Sequence, residues 1–365
     1  MDITVQSLPD RSSKKHRWIF ALIILSPFIV VGAILIAVLV STPSSRDVEV
    51  TATSAVIAMG EEEVAVVTYL DTSRPGFFEP AFQMRAAAIR LSDGEQLWDT
   101  HLNDDLAGDA VVLAGDADWV YVGTDHGLVI LDASSGEVHA EGADVDGLGS
   151  GAVFEASAYG YDESADVATV LSGTGEILQI PVGRTQAEQA DLMTVRAWRE
   201  VLSTSSHFDD SALTQTVDVA EGPDGTVYAI ESVSEAVQRS ILEITPPGGP
   251  PSRSTEFVDA AILPGDLSEV PEPAGIEQGF LLVQHRESIN AEQILLSAVD
   301  AVTGEIVSSS EMPYEAVRAI TGGGSTAVIS TPPGAWYANQ LLILGEDGAF
   351  TAVPIGEMPW WMTIL

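Results

Sequence analysis

The sequence predicts an all-β protein: a β-propeller of six blades, with seven as the alternative, preceded by one N-terminal transmembrane helix. Three observations predict it. A unit of short strands and Asp/Gly-bearing turns recurs at intervals of 39 to 44 residues. One run of 23 uncharged residues lies near the start, and the chain beyond it is strongly acidic and holds no cysteine.

The clearest copy of the unit is Val111 to Val138, VVLAGDADWVYVGTDHGLVILDASSGEV. Val111 to Ala114 is an apolar strand, Gly115-Asp116-Ala117-Asp118 a polar corner, and Trp119 to Val122 an alternating strand. Asp125-His126-Gly127 reverses the chain, Leu128 to Leu131 returns, and Asp132 to Glu137 turns it into Val138. Val, Ile, Tyr and Trp fit a pleated, half-buried surface, and Asp and Gly supply turn backbone. A single unit cannot bury its own apolar faces, so copies must stack.

In chain order, residues 1–17 form a polar head ending in Lys14-Lys15-His16-Arg17. Trp18 to Val40, WIFALIILSPFIVVGAILIAVLV, would span about 34 Å as a helix, enough for a hydrocarbon core of about 30 Å. It is longer than a signal-peptide core, and no Ala-x-Ala site follows it, so it reads as an uncleaved signal anchor. Basic residues precede it, which places the N-terminus in the cytoplasm and exports the C-terminal domain from the cell membrane. Residues 41–47 form a Pro/Ser linker, and 48–365 the exported domain.

That domain opens with a strand over Val48 to Met59, an acidic turn at Gly60 to Glu63 and a strand over Val64 to Leu70. Asp71 to Phe82, DTSRPGFFEPAF, reads as an irregular loop. Four segments then share one pattern: Ala88 to Trp98 (AIRLSDGEQLW), Ile130 to Ala140 (ILDASSGEVHA), Thr169 to Gln179 (TVLSGTGEILQ) and Ala298 to Ser308 (AVDAVTGEIVS). In each, a Gly-Glu pair follows a polar turn, and Gly94, Gly136, Gly175 and Gly304 fall where positive φ is wanted. Weaker copies end at Gly249 and Gly348, which brings the count to six. The inner-strand candidates are Trp119 to Val122, Val167 to Leu171, Thr226 to Ile230, Gly279 to Val283 and Thr326 to Ile329.

Two insertions interrupt the pattern. Thr185 to Leu202 predicts a short helix opened by a Thr185–Glu188 capping box, with a strand over Leu192 to Val201 as the alternative. Pro246 to Pro273 carries seven prolines and reads as mostly loop. The apolar end, Met358 to Leu365, is expected to add a final strand beside Val48 to Met59, closing the ring.

These segments resemble the repeat of quinoprotein-type (PQQ-repeat-like) β-propellers, roughly Ala-x-Asp-x-x-Thr-Gly-Glu/Lys-x-x-Trp. Ala88 to Trp98 keeps the terminal Trp98 with Arg90 in place of Asp, whereas Ala298 to Ser308 keeps Asp300, Thr303, Gly304 and Glu305. Members with a catalytic quinone stack it on an axial tryptophan, often against a vicinal cysteine pair, above calcium ligands. The absence of cysteine therefore makes this chain resemble the cofactor-free, membrane-anchored members, which act as envelope scaffolds.

Composition narrows the function classes further. From Ser41 onward 11 arginines, with no lysine, face 52 acidic residues, a balance of −41. Nucleic acid is excluded as a partner, because binding it requires cations at the phosphates. The acids are scattered through nearly every turn, which fits solubility or adaptation to high salt better than one acidic docking patch. The six histidines are dispersed without zinc spacing, Gly147 to Gly151 is not a nucleophile elbow, and Gly322 to Thr326 lacks the lysine of a phosphate loop. Asp104-Asp105, Asp209-Asp210, and Asp144 with Asp146 supply too few spaced oxygens for a Ca²⁺ loop, so no cofactor or metal is assigned.

The expected binding positions are aromatic residues on loops: Trp336-Tyr337 after Pro332-Pro333-Gly334, then Phe77-Phe78 between Pro75 and Pro80. The expectation is a membrane-anchored extracytoplasmic scaffold that binds a protein or cell-envelope component. The alternative is an extracytoplasmic enzyme or ligand sensor that uses the propeller channel, with a divalent cation such as Ca²⁺.

Overall fold

The computed structural model describes residues 48–51, 54–60, 62–72, 82–104, 109–153, 155–202, 216–234, 238–265, 270–316, 318–331 and 339–356. The chain divides into two compact units, Met1–Ser45 and Arg46–Leu365, and all described residues belong to the second. The head, the 18–40 segment, the linker, Phe77, Phe78, Trp336, Tyr337 and the 358–365 end all lie outside the described residues. Among the described residues no helix is long and apolar enough to cross a membrane.

The second unit is built from antiparallel meanders. The first contains β1 (Val48–Val50), β2 (Ala55–Met59), β3 (Glu62–Asp71), β4 (Gln83–Arg90) and β5 (Gln96–Asn103). Val48 pairs with Asp71 and Ala55 with Val66, so β1 and β2 lie in succession along one edge of β3, as a single strand broken near Thr51. The second sheet is β6 (Ala110–Gly115), β7 (Trp119–Thr124), β8 (Gly127–Asp132) and β9 (Val138–Glu141). The third is β10 (Tyr159–Asp162), β11 (Val167–Leu171), β12 (Ile177–Pro181) and β13 (Glu188–Gln189).

A seven-stranded sheet follows: β14 (Val219–Glu221), β15 (Val227–Ser234), β16 (Arg239–Thr245), β17 (Ser252–Ile262), β18 (Phe280–Arg286), β19 (Ile294–Asp300) and β20 (Ile306–Met312). It holds two meanders that share β17. The start of β17 is the last strand beside β16, and beyond a bulge at Asp259 (φ +51°) its end is the first strand beside β18. The last sheet is β21 (Arg318–Gly322), β22 (Ser325–Ser330), β23 (Gln340–Leu344) and β24 (Phe350–Pro354).

Apolar clusters join the first meander to the second, the second to the third, the fourth to the fifth, the fifth to the last and the last to the first. Val66, Ala88 and Trp98 pack with Val120, Val129 and Leu131, and Tyr121 and Ile130 pack with Val170 and Ile180. Leu242 and Ile244 pack with Leu281 and Val299, and Leu282 and Leu296 pack with Val328 and Leu342. Val67 and Ile89 of the first sheet then meet Ile329 and Leu341 of the last. The first and last sheets are thus neighbours, as a radial arrangement requires.

Several sequence expectations need correction. The five inner-strand candidates fall in β7, β11, β15, β18 and β22, the second strands of their meanders. Second strands have a partner on each side, whereas first strands such as β6, β10 and β21 form the edge. Gly94, Gly136 and Gly304 join third to fourth strands, but Gly175 joins β11 to β12, a second to a third. The third copy is therefore out of phase. Its hydrogen bonding differs too: Gly136 N donates to Asp132 O four residues back, whereas Gly175 N donates to Ser172 O three residues back.

The helix is α1, Leu192–Trp198, capped by Asp191, whose Oδ1 accepts from Met193 N and Thr194 N at 2.7 and 2.9 Å. Thr185 plays no part in the cap; Glu188 belongs to β13. The proline-rich stretch contains the eleven-residue β17, whose residues include no proline; Pro251 and Pro264 bracket it.

Candidate binding face

Turn chemistry fixes one end of the meanders. Asp132 Oδ1 accepts from the backbone N–H groups of Ser134 and Ser135 and from both hydroxyls, and Asp300 Oδ1 accepts from the backbone N–H groups of Val302 and Thr303 and from the Thr303 hydroxyl. Those hydrogen bonds hold both carboxyl groups below the ordinary carboxylate range. In the first sheet Arg90 stands at that position and pairs with Glu62, Asp93 and Glu95.

The turn glycines are docking points between sheets. Thr100 Oγ1 of β5 donates to Gly136 O at 2.7 Å, Thr255 Oγ1 of β17 to Gly304 O at 2.6 Å, and Ser308 Oγ of β20 to Gly348 O. Each time an outer strand donates to the turn of the following meander. Trp98 Nε1 adds a bond to Ala133 O at 2.7 Å. At Gly94 the place is taken by Val353 of β24, whose Cγ2 lies 2.5 Å from where a Cβ would sit. The last sheet thus grips the first as the first grips the second.

This end carries connections of six residues or fewer, 263–279 excepted. At the opposite end the chain leaves and re-enters the sheets at 72 and 82, 142 and 158, 190 and 218, and 331 and 339. In the sequence, Phe77-Phe78 and Trp336-Tyr337 fall between a second strand and a third, β3 and β4 and β22 and β23. The residues that flank them, 72 and 82 and 331 and 339, lie at the corresponding end of two sheets that share one apolar cluster.

Their footings are polar and braced. Tyr69 Oη donates to Asp99 Oδ2 at 2.6 Å, and Arg85 Nε donates to Asp99 Oδ1 at 2.8 Å and to Tyr69 Oη at 3.2 Å. Burial, then the Asp99 charge, pushes the Tyr69 hydroxyl well above its ordinary range. Burial alone would lower the Arg85 guanidinium, but the bond to Asp99, the Asp99 charge and the contact with Tyr69 together outweigh that and raise it. Under the other loop the buried Gln340 Nε2 donates to Ser330 Oγ at 3.0 Å. Sequence reading missed this triad, since its members lie on three strands with no motif spacing.

One histidine among the described residues is buried, His285 on β18. Its Nε2 lies 2.8 Å from Ser297 Oγ, its Nδ1 3.1 Å from Arg286 O, and burial lowers its pKa. Ser297 is fully buried and also bonds Ser309 Oγ at 2.7 Å. The histidine's second nitrogen meets a carbonyl where a nucleophile–base pair would have a carboxylate. The pair is a piece of polar core. Beside it a cavity of about 130 Å³ is lined by Asp259, Gln284, Arg286 and Glu315. Among the described residues no group of three or more histidines and carboxylates is placed to hold a metal.

These meanders with latched turns are consistent with a propeller-like all-β protein. No protein-family model matches the chain, and no curated protein does. Among solved structures it is similar to BamB from Moraxella catarrhalis, at 15% identity over 82% of this chain and 73% of that one, with a TM-score of 0.22. It is also similar to the quinohemoprotein alcohol dehydrogenase from Comamonas testosteroni, at 13% identity over 86% and 70% of the two chains, TM-score 0.28. A third likeness is to the AtxE2 isopeptidase, at 8% identity and TM-score 0.45; it covers 86% of this chain and 53% of that one. Likenesses this remote carry no activity across.

Proposed function

We propose that the chain is a six-bladed, non-catalytic β-propeller that binds a protein or cell-envelope component. It is held outside the cell membrane by residues 18–40. The unequal ends of the meanders carry this reading. Apart from 263–279, the connections at one end are six residues or fewer, and those at Gly136, Gly304 and Gly348 are latched to the neighbouring sheet, whereas the connections 72–82, 142–158, 190–218 and 331–339 join strands at the opposite end. Rigid sheets that present long loops at one end are the usual build of a binding module.

Six blades follow from counting the seven-stranded sheet as two meanders that share β17. Membrane attachment follows from the 23 uncharged residues and the basic cluster before them.

Photo-crosslinking in intact cells tests the binding role. A crosslinking amino acid at Trp336 or Phe77 should capture a defined envelope partner, and one at Ser92, in a short turn, should not. Equal capture from both ends, or none from either, would refute the assignment of the face.

A further inference from the structure

A strand at the edge of a sheet exposes unpaired N–H and C=O groups, and proteins blunt such edges with charge, proline or shortness. Most outer strands here do so. β5 carries Asp99 and His101, β9 carries His139 and Glu141, β13 is two residues long, and β24 ends in Pro354. The outer strand β20 is charged only towards its end, at Glu311, and holds the longest uncharged, proline-free run among these outer strands. From Ile306 to Ser310 it holds no charge and no proline, and among the described residues nothing pairs with its outer edge. Ile306 and Val307 are 41% and 45% exposed, and Val302 in the preceding turn is 85% exposed.

The flanking charges say what fits. Exposed Glu305 and Glu311 bracket the uncharged stretch, six residues apart. A second copy of this chain paired antiparallel about Ser308 would set Glu305 against Glu311 at both ends. Like charges opposite each other destabilise such pairing, and each chain carries a net charge of −39. Self-association is disfavoured, while an extended segment with a cation at each end is favoured.

We propose that β20 is a strand-addition site for an extended basic peptide segment of a partner protein. The segment pairs with Ile306 to Ser310 and places lysine or arginine against Glu305 and Glu311. Main-chain bonds supply the affinity, and the two end charges set choice and direction of the partner. This deepens the binding role proposed above by naming a surface and a partner chemistry, and its test does not depend on the loop crosslinks.

The probe is a labelled peptide, Lys-Val-Thr-Val-Thr-Val-Lys, titrated into the full chain in detergent micelles and followed by fluorescence anisotropy. It should bind in a salt-dependent manner, and the E305K/E311K double variant should bind it about tenfold more weakly or worse. The double variant should instead accept the peptide with glutamate ends. A version N-methylated at alternate residues keeps the charge but cannot pair, so it should not bind. Absence of binding, equal binding of the N-methylated peptide, or indifference to charge reversal would overturn the proposal. Loop crosslinks that survive such a result would leave the binding role standing without this site.

Discussion

Thr100 Oγ1 reaches across from the first sheet to donate to Gly136 O at 2.7 Å, in the turn of the second. Gly136 has φ +70°, and a Cβ there would lie 2.5 Å from Thr100 Oγ1 and 2.7 Å from Trp98 Cδ2. Gly136→Ala therefore meets a conformational penalty of about 1–2 kcal/mol and a packing penalty of about 1–3 kcal/mol. Gly175, with φ +79°, has nothing within 4 Å of the same position, so Gly175→Ala meets only the first. Urea unfolding of the two variants should show the Gly136 variant less stable by the difference. Equal losses would mean that the turn is not clamped by its neighbour.

The hydroxyl latches make a second series. Thr100→Val and Thr255→Val keep the side-chain shape and leave the carbonyls of Gly136 and Gly304 without their donors. Each should cost about 1–2 kcal/mol, the usual range for an orphaned, partly buried acceptor. The two sites lie in different meanders, so the losses should add. Unfolding midpoints of both singles and the double variant check this.

Much of this was legible along the chain, because strand and turn signals are local. The Val111 to Val138 unit folds as β6 to β9, and its turns fall where Asp and Gly stand. The third copy misled because Thr174-Gly175-Glu176 carries the same letters in a turn one residue tighter, between different strands. β17 was hidden because prolines on both sides gave the whole stretch a loop-like composition. The latches were invisible for another reason. Their partners lie 36, 40 and 49 residues apart at no fixed offset, so only the stacking of sheets reveals them. The Tyr69–Arg85–Asp99 footing is of the same kind.

His285 gives a pH dependence with a definite sign. Burial depresses its folded pKa below the unfolded value of about 6.5. The unfolded chain therefore binds the proton more readily, and stability should be full above pH about 6.5 and fall as pH drops below it. His285→Gln cannot take up that proton, so thermal melts of this variant between pH 7 and 5 should fall less steeply than those of the parent. Parallel slopes would show that His285 is protonated in place.

The alkaline side has the opposite sign. Burial raises the phenols of Tyr121 and Tyr159 to about 12, while their unfolded value is about 10. Each hydroxyl donates to a backbone carbonyl, Tyr121 to Arg184 O at 2.6 Å and Tyr159 to Val153 O, and a phenolate can do neither. A raised folded pKa means that the stability is whole below pH about 10 and lost progressively above it, as the unfolded chain releases protons that the folded chain retains. The Tyr121→Phe/Tyr159→Phe double variant should be less stable at neutral pH through two lost bonds, about 1 kcal/mol each. It should also lose less on going from pH 9 to 11, so that the two stability curves converge. Curves that run parallel across that range would place the alkaline transition on other groups, and the tyrosine-rich contact between the second and third sheets would not be what fails first.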